Sequence, residues 1–145
     1  MAQVGPIESL DVAMLTLADG RQVMVPLQVL AEVQQVPLAG REIGQLGEFG
    51  WRGYTLAISS LESLCGLPEP TPEKLNTVGI FKADKNAEVP FRAIAFAGTA
   101  SPGRVEPSWL SSKQPPEEGD FIAAAILHEQ EFLIPDLSRL LFGGK

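Results

Sequence analysis

The sequence predicts a mainly β protein, a pair of small barrels in which short helices serve as plugs and struts. Short apolar runs are separated by turn signals at regular spacing, beginning with Asp19-Gly20 between two apolar stretches. Two segments, ISSLESLCG at 58–66 and IPDLSRLLFG at 134–143, share one order of strand end, capping residue, Leu-x-x-Leu and Gly, and VPLQVL is a looser third copy. A chain of 145 residues, 45% of them hydrophobic, is sufficient for one domain with a real core.

The elements follow in order. DVAMLTLADGRQVMVP predicts a hairpin, because Asp-Gly supplies the positive φ angles of a tight turn. Leu27, Leu30 and Ala31 then fall at helical spacing before Val33 and Val36 restore strand-like alternation, so a helical turn precedes a strand or loop. PLAGREIGQLGEFG, with its irregular glycines, reads as a loop entering a strand WRGYTLAI. Ser59 or Ser60 caps the helical turn SLESLCG, which Gly66 and Pro68 close. LPEPTPEKLNT is a connector, and VGIFKA and VPFRAIAFAG, separated by DKNAE, form another hairpin. GTASPGRVEPSWLSSKQPPEEGD reads as a long turn-rich stretch pinned by Val105, Trp109 and Leu110. The chain closes with a strand, a polar turn at His128 to Gln130, a strand, and a short amphipathic helix from Asp136 bearing Leu137, Leu140 and Leu141.

Charge and cysteine content exclude several classes of partner. A net charge of −7 and no cluster of Lys or Arg disfavour nucleic acid and anionic membranes. Cys65 is the single cysteine, so no intramolecular disulfide and no cysteine-based zinc site can form, which suits a reducing, cytoplasmic setting. MAQVGPIESLD is not a signal segment, and FIAAAIL at 121–127 is too short to span a bilayer, so no membrane insertion is expected.

Catalytic motifs fare poorly. GTASPGRV resembles a phosphate-binding loop, but Arg104 replaces its lysine, Val105 its hydroxyl, and Pro102 removes an amide. Cys65 and His128 are the only candidate nucleophile and base; Cys65 sits in an apolar helical turn and His128 in a polar one. A single histidine with scattered carboxylates offers no metal-ligand spacing, and Glu117-Glu118 lies in a Pro-rich loop. No catalytic residue, metal or cofactor is expected. Arg52, between Trp51 and Tyr54, instead calls for a carboxylate partner, with Glu32 the best candidate, or an aromatic face.

From about Leu10 to Phe142 the chain resembles the CheW-like chemotaxis adaptor, or coupling, protein family. The resemblance rests on VMVPLQVLAEV, the Trp51-Arg52-Gly53 joint, SSLESLCGL, VGIF and PDLSRLLF in that order. Departures are Gly50 for the Asn before the joint, Ala57 for the strand proline, Ser60 for the first Asp of Asp-Leu, and Phe96-Ala97 for a Val-Asp step. The resemblance implies two packed, five-stranded SH3-like barrels in a single domain at 8–143. It divides into a first barrel region at 8–68, a second at 77–135 and a C-terminal helix at 136–143.

The same resemblance implies a non-enzymatic, cytoplasmic adaptor. It would join the cytoplasmic tip of methyl-accepting chemoreceptors to the regulatory domain of a CheA-type histidine kinase, in flagellar chemotaxis or pilus-linked twitching motility. The implied receptor groove comprises Leu30, Glu32, Val33, Arg52 and Gly53, with Glu32 and Arg52 as an ion pair. The alternatives are a barrel scaffold outside chemosensing that binds proline-rich or strand-forming peptides, and a small enzyme dependent on Cys65.

Overall fold

The computed structural model describes residues 9–142 apart from Asp84, with the side chains of Arg139 and Phe142 also left out. The expected domain limits at 8 and 143 therefore lie outside the described residues. Ten strands dominate: β1 (Leu10–Thr16), β2 (Gln22–Pro26), β3 (Leu30–Gln35), β4 (Glu48–Trp51), β5 (Tyr54–Ser60), β6 (Thr77–Lys82), β7 (Phe91–Val105), β8 (Ser111–Lys113), β9 (Phe121–Leu127) and β10 (Gln130–Pro135). Two short helices, α1 (Leu61–Leu64) and α2 (Leu137–Phe142), follow β5 and β10.

Asp19-Gly20 makes the expected turn. Gly20 takes φ +96°, the Asp19 side chain accepts from the Arg21 amide at 3.0 Å, and β1 pairs with β2 in antiparallel register. Strand grouping departs from the division at 8–68 and 77–135. β1 and β2 join β8, β9, β10 and the C-terminal part of β7, while β3, β4, β5 and β6 gather around the N-terminal part of β7. The first hairpin thus crosses to the barrel made by the end of the chain.

That crossing follows from where the apolar side chains go. Along β1 and β2, Val12 and Met24 enter the second barrel, whereas Ala13, Leu15, Val23 and Val25 face a central core between the barrels. Along β7, Ala93 and Ala95 enter the first barrel while Ile94 and Phe96 reach the same central core. Where these strands pass between the cores, at Val12–Ala13, Val23–Val25 and Ala93–Phe96, they are buried on both faces and read as short apolar runs. Leu61 of α1 and Leu140 and Leu141 of α2 complete the central core.

β7 runs straight through what the sequence presents as a turn-rich stretch. Gly98 to Val105 continues the strand, with Pro102 opposite Ala13, and the pairing with β1 shifts register between Met14 and Thr16. Pro and Gly weaken the local strand signal, and pairing with β1 overrides them.

The repeated order of strand, cap and Leu-x-x-Leu has a structural counterpart. β5 runs parallel to β7 before α1, and β10 runs parallel to β2 before α2. Ser60 caps α1, accepting from the Ser63 amide at 3.0 Å, and Gly66 leaves the helix at φ +76°. Each of these strands is entered through a two-residue turn with both φ angles positive: Arg52 and Gly53 at 49° and 83°, His128 and Glu129 at 50° and 68°. The stretch expected as one strand, WRGYTLAI, is therefore the hairpin β4–β5, with Arg52-Gly53 as its loop.

Candidate functional site: a groove beside a carboxylate–indole–guanidinium stack

Pro26 ends β2, and the chain turns through a single 3-10 turn at Leu27–Val29, whose closing bond runs from the Leu30 amide to the Leu27 carbonyl. This turn forms one wall of an apolar groove of about 700 Å3. Val12, Met24, Pro26, Leu27, Leu110 and Ile134 line it, and Asp11 and Gln28 lie on its polar margin. Several of these side chains also belong to the second barrel's core, so the groove's walls are fixed by packing. Leu10, at the lip, is exposed. An apolar concavity of this kind suits a hydrophobic side-chain row from a partner helix.

β3 leads away from the groove with a register irregularity between Leu30 and Glu32. A bulge puts an extra residue into the strand, so Leu30 and Val33 pack against the same central core despite their odd spacing. Both are partly buried there. Of the five residues expected to form the receptor groove, none is among those that line it; Leu30, Glu32 and Val33 lie on the strand that continues from its wall.

Glu32 and Arg52 do not form a direct ion pair. Among the described residues the ion pairs are Asp19–Arg21, Arg21–Glu118, Asp11–Arg104 and Lys113–Glu131. The indole of Trp51 stands between the two groups instead. Trp51 Nε1–H donates to Glu32 Oε1 at 3.1 Å, and the Arg52 guanidinium lies 4.7 Å from the centre of the Trp51 ring. The reason is the turn: with Arg52 in the left-handed region, its side chain folds back over its neighbour. Gly53 supplies the second positive φ of the same turn.

Gln34 also donates to Glu32, and this bond is the largest cause holding the Glu32 carboxyl below its usual range. The Trp51 bond follows, burial opposes both, and the Arg52 charge adds a smaller lowering. Trp51 is 6% exposed and packs edge-on against Phe91, with ring centres 4.7 Å apart. The stack of carboxylate, indole and guanidinium is therefore anchored in the first barrel. An aromatic face for Arg52 was legible from its flanking Trp51 and Tyr54, whereas the indole N–H that reaches Glu32 was not, because it depends on how β4 lies beside β3.

The candidates for chemistry stay apart. Cys65 is 1% exposed in the central core, whereas His128 sits in the β9–β10 turn against Trp109, ring centres 5.7 Å apart. Glu118 pairs with Arg21 and Glu117 is exposed. Among the described residues no three His, Cys, Asp or Glu side chains gather as a metal site, and no helix is long and apolar enough to cross a membrane.

The fold is CheW-like. The chain superposes on a scaffolding protein, TtCheW from Thermoanaerobacter tengcongensis, with a TM-score of 0.65 at 12% identity, covering 96% of this chain and 97% of that one. No protein-family model matches the sequence, and no curated protein matches it.

Proposed function

We propose that this chain is a non-enzymatic scaffold that couples methyl-accepting chemoreceptors to a CheA-type histidine kinase in a motility pathway, flagellar or pilus-linked. The observation that carries this reading is the apolar groove beside the Glu32–Trp51–Arg52 stack, set in a fold shared with a CheW scaffolding protein. A receptor tip is a helical hairpin; its apolar row would enter the groove at Met24, Leu27 and Leu110, and its polar edge would meet Glu32 and Arg52. The kinase's regulatory domain would dock elsewhere, at exposed strand ends of the sheet surface. Leu30, Val33 and Gly53 act in this reading by shaping β3 and the β4–β5 turn.

Calorimetric titration against a kinase regulatory domain and a receptor-tip fragment from the same organism tests it. Saturable binding of both is expected. Leu27→Glu, which places a charge in the groove, should weaken receptor-tip binding at least about tenfold and leave kinase binding unchanged, since an unpaired buried charge is strongly disfavoured. Arg52→Ala should weaken the same interaction by less. Absence of binding to either partner refutes the reading and favours a scaffold outside chemosensing.

A further inference from the structure

A second cleft, of about 310 Å3, lies on the outer face of the first barrel, where β5 and β7 run side by side. Alternation along β5 sends Leu56 and Ile58 into the barrel and leaves Thr55, Ala57 and Ser59 on the cleft side. Along β7, Ala93 and Ala95 point inward, and Arg92 lies on the opposite side with Ile94 and Phe96, at the margin where the central core ends.

Arg92 differs from the other arginines whose side chains are described. Arg21 and Arg104 pair with carboxylates, Arg41 donates to the Leu46 carbonyl, and Arg52 lies on Trp51. Arg92 is half-buried, no acceptor meets its guanidinium among the described residues, and its nitrogens are not among the fully buried unpartnered atoms, so its five N–H donors face the open cleft and remain available to an anion. Burial holds its pKa below the usual arginine range. Thr55, which is exposed, and the half-buried Ser59 line the same cleft, and no hydrogen-bond partner engages either hydroxyl among the described residues.

We propose that this cleft receives a carboxylate side chain of a partner polypeptide, gripped by Arg92 through two parallel N–H···O bonds, with Thr55 and Ser59 as further donors. A planar guanidinium matches a carboxylate in that two-pronged geometry. The rest of the wall selects a polypeptide over a free anion. Phe91 is apolar and only partly buried, and Val89 at the rim is 41% exposed, so apolar neighbours of an Asp or Glu gain contact that a small ion does not. A free anion meets the same donors against the field of a chain of net charge −7 but gains no apolar contact to offset that field. The cleft shares no lining residue with the groove, so this inference stands apart from the proposed coupling function.

The test is a nuclear magnetic resonance titration of the full chain, following the Arg92 Nε–H and the Thr55 and Ser59 amides. Acetyl-Val-Glu-Val-amide should shift all three resonances saturably. The same peptide with Gln in place of Glu should bind about fivefold more weakly, the difference between a charge-assisted and a neutral hydrogen bond. Arg92→Gln should abolish the preference and Arg92→Lys retain part of it. The comparison of the two peptides on the unmodified protein decides the matter even where a variant folds poorly. Equal binding of both peptides overturns the proposal, as do shifts confined to other residues. Saturation by acetate or inorganic phosphate as tight as by the Glu peptide also overturns it, by assigning the cleft to free anions.

Discussion

Glu62→Gln should stabilise this protein at neutral pH and leave its stability nearly unchanged in acid. Glu62 sits in α1 at 5% exposure, with Oε2 accepting from the Ala18 amide at 2.6 Å and Oε1 buried without a partner. Burial is the main cause raising its pKa above the ordinary 4.5; the charges of Asp19 and Glu69 push the same way, and the backbone hydrogen bonds from Ala18 and from its own amide oppose them. Folding therefore takes up a proton at this site in the interval between the two pKa values. The associated stability is complete below pH 4.5 and is lost as pH rises through the folded value.

The amide removes the charge and keeps an acceptor for Ala18. Leaving a charged oxygen buried and unpaired costs about 2–3 kcal/mol, the upper part of the range for unsatisfied buried groups, and exchanging a charge-assisted bond for a neutral one returns about 1 kcal/mol of that. A net gain of roughly 1–2 kcal/mol at neutral pH follows. With a urea m-value of about 2 kcal/mol/M, the middle of the usual range, the unfolding midpoint should rise by about 0.5–1 M at unchanged m. Urea melts of both proteins across the acid-to-neutral range supply the difference curve, in which the titrations of all other groups cancel. A variant no more stable than its parent at neutral pH, or a difference that does not shrink on acidification, would refute the reasoning and show that the bond to Ala18 outweighs desolvation.

Three further outcomes are expected. The Glu32 carboxyl should titrate below 4.5 and move upward in both Gln34→Ala and Trp51→Phe; its stabilising contribution is present above that pH and lost as pH falls, and carboxyl carbon shifts that ignore both substitutions would contradict the hydrogen-bond account. Gly119→Ala should lower the melting temperature through a loss of about 2–4 kcal/mol, because its φ is +85° and an added Cβ would lie 2.9 Å from the Cys65 carbonyl oxygen; a melting temperature equal to the parent's would count against this packing. Cys65 should resist iodoacetamide at neutral pH until the protein is denatured, and rapid labelling of the folded chain would revive a cysteine-dependent activity.

Local chemistry was legible in the residues themselves. Asp19-Gly20 specifies a hairpin because the positive φ belongs to the dipeptide, the Ser59-Ser60 pair specifies a helix start because a serine hydroxyl reaches only a few residues ahead, the structure selecting Ser60, and the Leu-x-x-Leu echo marks both helices that close on the central core. Position-to-position packing was not. Gly98 to Val105 is a strand only because β1 lies alongside it, and the Arg52-Gly53 pair is a hairpin loop only because β4 returns as β5.

The candidate site divides the same way. The sequence by itself determined that Arg52 calls for a carboxylate or an aromatic face and offered Glu32 as that carboxylate, without fixing how Glu32 and Arg52 meet. Only the tertiary structure decided that an indole stands between them, that the groove opens beside Leu27 while Leu30 and Val33 pack inward, and that Arg92 is left without an anion. Turns and caps are fixed by interactions within a few residues of chain, whereas a strand's neighbours, a bulge's phase and a charge's partner are set by segments tens of residues away.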